Sequence, residues 1–305
     1  MIEIEPGLNN ISLDIWDHPR FRQNDLRAEV MRLDKIHPDI SGNKWFKLKY
    51  YIKRAIESNK QTVISFGGAY SNHLLALASA ARMNGLSSIA YIRGEEPVKL
   101  SHTILAAKEH GMKFRFLSRM EYDQKKKSVT LRSTDDYEPD SLFIPEGGAG
   151  ADGIRGAEEI LSGLSLSRFS HICCAVGTGI TLAGLINSAA PHQVIIGVSV
   201  LKGTRDFEPM NISWLKNRSA LENVRMIHAD HFGGYAKNNQ VLIDFINRTY
   251  AESGIPTDFV YTGKLFYSIF RMAAEKAFPP GSRLLLLHTG GLQGNLSLKS
   301  GLLQF

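Results

Sequence analysis

The feature that most limits the fold is a regular alternation of apolar strand patterns with helix patterns. Residues 62–66 form a continuous apolar run of the kind that is buried on both faces of a sheet. A helix pattern at 74–83, a strand at 88–92, a helix at 99–110 and a strand at 113–117 follow in turn. This alternation predicts parallel strands joined by right-handed helical crossovers.

A second series of the same kind begins after a glycine-rich stretch, residues 145–153, the best candidate for a crossing between two domains. Its predicted elements are helices at 156–161, 180–190, 239–253 and 265–277 and strands at 171–175, 194–200 and 283–288. Before it we predict strands at 11–16, 26–33 and 141–144, and a loop or edge over the polar stretch 123–140. We expect two open α/β sheets, with ligands beyond the carboxyl ends of the strands.

The composition excludes several classes of protein. The 305 residues are 43% apolar and 22% charged, as in ordinary soluble globular proteins. The formal charge of +6 comes from scattered basic residues, and residues 125–127 are the one tight lysine run. Because the chain has no arginine stripe and no nucleic-acid motif, we expect no nucleic-acid partner. It also lacks the run of about 20 apolar residues that spans a membrane.

Cysteine usage and the first residues bear on the compartment. Cys173 and Cys174 are adjacent in an apolar run, so their side chains should point to opposite faces of a strand and not pair. Residues 1–6 lack the basic and apolar regions of a secretion signal. We therefore expect two buried thiols and a cytoplasmic protein.

The stretch Ser41-Gly42-Asn43-Lys44 precedes a predicted amphipathic helix at residues 45–57. A lysine in the first helical turn faces the positive end of the helix dipole, and burial would lower its pKa further. A deprotonated amine is a nucleophile that can form a Schiff base with a carbonyl. Lys47, one turn later, could hold a phosphate. The alternative is that Lys44, Lys47 and Lys49 form a solvated basic face.

Three further glycine-bearing turns end predicted strands. In the first, residues 67–73, Ser71 and Asn72 lie at a helix N-terminus, where free N–H groups attract anions. Ser71 would contact a substrate carboxylate or relay a proton, and Asn72 would bond a phenolic oxygen of a ligand. The alternative is that Ser71 is only a helix cap.

The second turn is Val176-Gly177-Thr178-Gly179-Ile180-Thr181. It suits a single phosphate because two glycines let the backbone approach a ligand and two threonines add hydroxyl donors. Leu182 stands where a dinucleotide fingerprint needs its third glycine, and no Gly-Lys-Ser/Thr follows as in a Walker loop. The alternative is a plain tight turn.

The third turn, His288-Thr289-Gly290-Gly291, follows an apolar strand and should lie at the ligand edge of the sheet. Tyr261 lies upstream and could act as an acid or base if its pKa were lowered. Tyr235 follows two glycines that would expose it. The alternative for Tyr261 is a half-buried core tyrosine.

One histidine cluster could suggest a metal. It is His228-Ala229-Asp230-His231. Its spacing does not match the helical His-Glu-x-x-His pattern, and no third ligand is evident. We therefore predict no metal site.

In this order and spacing, the turns resemble the pyridoxal-phosphate enzymes of the tryptophan-synthase-β type, fold type II. More narrowly, they resemble the family of 1-aminocyclopropane-1-carboxylate deaminase and D-cysteine desulfhydrase, from Ser41 to about Gly291. The resemblance implies an α/β fold with two open twisted parallel-sheet domains of three layers each. The large cofactor domain would be residues 1–47 with 147–305, and the small inserted domain 48–146. It also implies pyridoxal 5′-phosphate between them, a small amino-acid substrate and a homodimer.

The resemblance assigns roles by position. Lys44 would hold the cofactor covalently, Ser71 would meet the substrate carboxylate, and Tyr261 and Tyr235 would line the substrate side. These four are the predicted catalytic residues. The predicted cofactor-binding residues are Lys44, Lys47, Asn72, Val176, Gly177, Thr178, Gly179, Ile180, Thr181, Thr262 and Thr289.

Two positions bear on the reaction. Where the deaminases of this family have a glutamate facing the pyridine nitrogen and a leucine, this chain has Thr262 and Thr289, hydroxyl residues as in the desulfhydrases. A glutamate would favour a protonated ring, the stronger electron sink, which opening of a cyclopropane should need more than loss of a thiolate. The residues therefore favour β-elimination from a D-amino acid such as D-cysteine, giving pyruvate, ammonia and sulfide.

Two alternatives stay open. One is the deaminase itself, which uses the same cofactor. The other is a non-catalytic protein that binds pyridoxal phosphate on this fold, because Tyr70 and Phe46 replace a glutamine and an arginine that the family usually carries.

Overall fold

The computed structural model describes residues 6–131, 140–162, 165–203, 214–216 and 218–305. Residues 1–5, for which no secretion signal was expected, and residues 132–139 of the predicted polar loop lie outside the described residues. The strands are β1 Leu13–Ile15, β2 Arg27–Arg32, β3 Thr62–Gly67, β4 Ser87–Arg93, β5 Lys113–Leu117, β6 Ser141–Ile144, β7 His171–Val176, β8 Val194–Ser199, β9 Val224–Ile227 and β10 Arg283–His288. The α-helices are α1 Pro19–Gln23, α2 Asn43–Glu57, α3 Asn72–Met83, α4 His102–Glu109, α5 Arg119–Leu131, α6 Ala151–Glu158, α7 Ile180–Ser188, α8 Gln240–Ser253 and α9 Thr262–Ala274.

The strands form two sheets. The larger has the order β1-β2-β10-β7-β8-β9, and the smaller has the order β5-β4-β3-β6. Every neighbouring pair is parallel except β1 with β2, which is antiparallel at the edge of the larger sheet. The predicted α/β class with two open parallel sheets is therefore confirmed.

Helices cover the larger sheet on both faces, and the adjacent cysteines show this directly. Cys174 packs with Phe46 and Phe169 in one hydrophobic cluster, whereas Cys173 packs with Trp16 and Phe266 in another. Both thiols are free and buried. The prediction that neighbouring residues of this strand face opposite layers is confirmed.

Helix α6 packs closely against α2, the helix that carries Lys44. A Cβ atom added to Gly156 would lie 1.6 Å from the carbonyl oxygen of Phe46, so only glycine allows this approach. The sequence placed the start of this helix at residue 156, but it begins at Ala151. That boundary was wrong because glycines that look like turn residues serve helix packing here.

One other prediction needs correction, and one strand was missed. Residues 119–131 form helix α5, so the predicted loop or edge over 123–140 is wrong up to residue 131. The buried Tyr122 of this helix packs on Phe66, with ring centroids 5.2 Å apart. Strand β9 was not predicted. No helix in the described part of the chain is long and apolar enough to cross a bilayer.

Candidate active site

The turn before Lys44 lies against the turn after β10. Gly42 has φ 69°, and a Cβ atom there would lie 1.9 Å from the carbonyl oxygen of Thr289. The Asn43 N–H donates to that same oxygen at 3.3 Å. Glycine at position 42 therefore lets two turns that are far apart in sequence meet at one edge of the larger sheet.

Lys44 lies in the first turn of α2, and its side chain is half-buried. Its Nζ donates to Asn43 Oδ1 at 2.8 Å and lies 5.8 Å from the centre of the Tyr261 ring. Desolvation lowers the pKa of Lys44 to about 8, although Asp258 acts in the opposite direction. The direction predicted from the sequence is confirmed, and a reactive fraction of neutral amine exists near neutral pH.

Asn43, which the sequence analysis did not select, connects Lys44 to the second turn. Its Nδ2 donates to Thr181 Oγ1 at 2.7 Å while its Oδ1 accepts from Lys44. The side chain of Asn43 is thus held at both ends and orients the amine. Asn43 directly precedes a candidate nucleophile at the start of a helix, and this position could have identified it as a site residue.

The second turn forms a cradle with the character of an anion site. Val176 ends β7, Gly179 has φ 80°, and α7 begins at Ile180 with its free N–H groups toward the turn. Lys47 is 5% exposed, and its Nζ donates to Thr178 Oγ1 at 3.4 Å. Burial and the charge of Lys44 lower the pKa of Lys47 well below its usual value. The negative charge of a bound phosphate would raise the pKa of Lys47 again. The lysine, the threonine hydroxyl and the N-terminus of α7 therefore suit a phosphate group.

The first turn contributes Ser71 and Asn72. Ser71 caps α3 by accepting from the Leu74 N–H at 3.4 Å, so the capping interpretation holds, and its substrate role stays a prediction. The Asn72 Oδ1 is buried without a hydrogen-bond partner among the described residues. A Cβ atom on Gly291 would lie 3.0 Å from Asn72 Nδ2, so this turn meets the third turn. An unpaired amide oxygen at this junction fits a polar ligand.

Two tyrosines lie beside the lysine. Tyr261 Oη donates to Tyr235 Oη at 3.4 Å, and a Cβ atom on Gly177 would lie 3.3 Å from Tyr261 Cε1. Burial, and then the neighbouring Tyr235, raise the pKa of Tyr261 well above its usual value. The condition for Tyr261 to act as a base, a lowered pKa, is therefore not met. Both phenols keep their protons at neutral pH and can act as donors.

Asp258 organises the start of α9 and was also missed. Its fully buried carboxylate accepts from the N–H groups of Val260, Tyr261 and Thr262 at 2.8–2.9 Å and from Thr262 Oγ1 at 2.7 Å. The hydroxyl proton of Thr262 is thus committed to Asp258, and Thr262 itself has no exposed surface. Thr289, the other predicted hydroxyl residue, is 6% exposed. Asp258 lies shortly before a predicted helix, and an aspartate at that position is a typical cap of a helix N-terminus, which could have identified it.

Replacing Asp258 with asparagine should lower the free energy of unfolding by about 2–4 kcal/mol, because an amide nitrogen would face donors that the carboxylate now accepts. Urea unfolding measures this change. The matched control is Asp244→Asn on the exposed face of α8, expected within about 0.5 kcal/mol of wild type. Equal stability of the Asp258 variant and wild type would show that the carboxylate does not hold this turn.

Asp230 of the cluster at residues 228–231 makes contacts that join two elements. Asp230 accepts hydrogen bonds from Ser268 and from Arg271, so its carboxylate joins this segment to α9. Within the ranges that the structure describes, no group of three histidine, cysteine or acidic side chains could hold a metal ion.

Comparison with known proteins agrees with this geometry. Residues 14–290 match the family described as "Pyridoxal-phosphate dependent enzyme". A Thermotoga maritima protein that is provisionally named a 1-aminocyclopropane-1-carboxylate deaminase is 30% identical over 83% of this chain and 85% of its own length. The Arabidopsis thaliana protein "Bifunctional D-cysteine desulfhydrase/1-aminocyclopropane-1-carboxylate deaminase, mitochondrial" is 27% identical over 92% of this chain and 75% of its own length.

A solved structure is similar over nearly the whole chain. It is described as an "ACC deaminase homologue", is 26% identical and superposes with a TM-score of 0.77. The match covers 96% of this chain and 94% of that chain. Fold and sequence therefore indicate the same group of proteins.

Proposed function

Because the chain belongs to the pyridoxal-phosphate dependent enzymes, with that coenzyme as its cofactor, we propose that it is a lyase that acts on a small D-amino acid. The reaction is β-elimination, with D-cysteine as the first substrate to test. Cleavage of the Cα–H and Cβ–S bonds releases sulfide, and hydrolysis of the remaining enamine gives pyruvate and ammonia. The observation that carries the proposal is the Lys44 amine, with its pKa lowered to about 8, between Asn43 and the Tyr261 ring.

The residues around Lys44 are suited to hold the cofactor. Lys44 would bind its aldehyde carbon, and Asn72 would bond its phenolic oxygen. Lys47 and the turn from Val176 to Thr181 would bind its phosphate through the cation, the hydroxyl groups and the N-terminus of α7. When bound, the pyridine ring accepts the electron pair left at the substrate α-carbon.

The remaining groups would handle the substrate. Ser71 at the start of α3 would donate to the substrate carboxylate. The Lys44 amine, once free of the cofactor, would take the α-proton. Tyr261, whose phenol keeps its proton at neutral pH, would donate that proton to the leaving sulfur. Tyr235 contacts Tyr261 and would lie on the same side.

The choice of elimination over ring opening rests on Thr262 and Thr289. No carboxylate stands at position 262, and the Thr262 hydroxyl donates its hydrogen bond to Asp258. The name of the Thermotoga maritima relative supports the deaminase alternative, whereas the Arabidopsis thaliana relative is named for both activities. A non-catalytic protein would bind the cofactor without turning over any amino acid.

One assay separates these possibilities. The cofactor-loaded protein is incubated with D-cysteine, L-cysteine and 1-aminocyclopropane-1-carboxylate, and sulfide and keto acid are measured. We expect sulfide and pyruvate from D-cysteine in equal amounts. Turnover of the cyclopropane amino acid without sulfide release from D-cysteine would reverse the choice. No turnover of any substrate would favour the non-catalytic protein.

The pH dependence of cofactor capture follows from Lys44. Its pKa is lowered from 10.5 to about 8, so the neutral amine increases about tenfold per pH unit up to about pH 8 and then levels off. The rate constant for covalent capture by the cofactor-free protein, followed by absorbance, should have this profile. A rate that keeps rising to the ordinary lysine pKa of 10.5 would show that the amine is not desolvated.

We also propose the domain division and homodimer that the resemblance implies, and the cytoplasmic location expected from the cysteines and the first residues. Strands β3 to β6, all within residues 48–146, form one sheet, and this supports the small inserted domain. Homodimer formation is tested by light scattering on the purified protein. A cytoplasmic location is tested by cell fractionation, which matters because the Arabidopsis relative is described as mitochondrial.

A further inference from the structure

The loop at residues 231–236, which carries Tyr235, has an unusual backbone. Phe232 and Ala236 have positive φ values of 51° and 52°, and Gly233 and Gly234 have 93° and 113°. Non-glycine residues in this region are strained, so the loop needs contacts that hold it in this conformation. Tyr235 itself is 51% exposed, and its hydroxyl contacts Tyr261.

Helix α9 supplies those contacts through Lys264. This lysine is fully buried, and its Nζ donates to the carbonyl oxygens of His231 and Gly234 at 2.9 and 2.8 Å. The same two oxygens accept the turn-closing bonds from the N–H groups of Gly234 and Lys237. Lys264 therefore completes the hydrogen bonding of both carbonyl groups that define the loop.

The geometry couples this contact to the site. Lys264 lies three residues after Tyr261, one turn along the same helix, so one rigid element sets the positions of Tyr261 and of the loop. Phe232 packs edge-on against Tyr267 of that helix, with ring centroids 4.8 Å apart, and Asp230 binds Ser268. The loop and Asp230, the residue before it, are thus attached to α9 at three points, of which Lys264 is nearest to Tyr261 in sequence.

We propose that Lys264 is a positioning residue that holds the 231–236 loop on helix α9 and thereby sets the contact between Tyr235 and Tyr261. The proposal rests on the proposed function only for the role of Tyr235 toward the substrate. It predicts that loss of the two hydrogen bonds releases the loop while the sheets stay intact.

Hydrogen exchange of the cofactor-loaded protein tests the structural half without any turnover. In Lys264→Met, the amides of Gly233, Gly234 and Lys237 should exchange at least about tenfold faster than in wild type, while strands β3 and β8 are unchanged. The matched control is Lys237→Met, the same substitution at an exposed lysine beside the loop, in which the amides of Gly233 and Gly234 should exchange as in wild type. Wild-type exchange in Lys264→Met would overturn the proposal.

A double-mutant cycle tests the functional half. Lys264→Met should lower kcat/KM for D-cysteine about tenfold in wild type but less than about twofold in a Tyr235→Phe background, because both changes disrupt one contact. Additive losses would overturn the proposal and assign Lys264 a purely structural role. If no amino acid is turned over, the proposed function fails, and the exchange measurement alone decides the role of Lys264.

A second variant covers the case in which Lys264→Met does not fold. Lys264→Gln keeps an N–H donor on a shorter side chain. Its loop amides should exchange at a rate between those of wild type and a released loop. Wild-type exchange in a folded Lys264→Gln protein would contradict the proposal.

Discussion

Replacing Lys44 with alanine should lower kcat for D-cysteine by more than about a thousandfold, because the variant loses the residue proposed both as the covalent tether for the cofactor and as the base. The expected loss is larger than that for any other single side chain of the site. Steady-state sulfide release, measured with excess cofactor, gives the value. The protein should stay folded, since a half-buried lysine whose charge is disfavoured contributes little to stability.

The matched control is Lys53→Ala on the same helix. The side chain of Lys53 is 42% exposed and lies near Glu57, with the charged atoms 3.7 Å apart, so turnover should stay within about twofold of wild type. Near wild-type turnover by the Lys44 variant would refute the assignment of this residue, whatever the substrate.

Replacing Lys47 with methionine should weaken cofactor binding by about 10- to 100-fold, the value of one charge-assisted hydrogen bond to a phosphate. Methionine keeps the buried stem of the side chain but removes the cation beside Thr178. Burial and Lys44 lower the pKa of Lys47, and a bound anion would act in the opposite direction by favouring the charged form. The dissociation constant is measured by titrating cofactor-free protein with pyridoxal phosphate.

Inorganic phosphate separates this effect from a general loss of affinity. Phosphate should compete with the cofactor in wild type and compete more weakly in Lys47→Met. Lys53→Met should bind both ligands as wild type does. An unchanged dissociation constant in Lys47→Met would mean that the turn from Val176 to Thr181 binds something other than the cofactor phosphate.

Much of this fold could be predicted because its central strands are buried on both faces. Strands β6 and β10 were predicted with their observed bounds, and β3 within one residue. The turns could be placed together in one site because the carboxyl ends of parallel strands share an edge. The contacts of Gly42 with Thr289 and of Gly177 with Tyr261 agree with that placement.

Helix α5 could not be predicted from apolar periodicity. Its charged and polar residues show no apolar stripe, although glutamate, glutamine and lysine are good helix formers. Its buried anchor is Tyr122, which packs on Phe66, and one aromatic residue is too weak a signal to define a helix. In α6 the glycines predicted a turn where the structure has a helix, because the close contact of α6 with α2 requires glycine.

The missed site residues share one physical cause. Asn43, Asp258 and Lys264 act on groups whose positions depend on the tertiary fold: a threonine hydroxyl, a helix N-terminus and two loop carbonyl groups. A sequence pattern can locate a nucleophile beside a glycine turn. It cannot show which backbone groups will be left unpaired around that nucleophile.

The most direct test of the account is reduction of the cofactor-loaded protein with borohydride, followed by digestion and peptide mass mapping. Reduction makes the link between the cofactor and its lysine permanent, so the modified peptide identifies the amine. We predict one pyridoxyl group per chain, on Lys44. A modified Lys47 or Lys264, the two buried lysines of this region, or a protein without any adduct, would contradict the account.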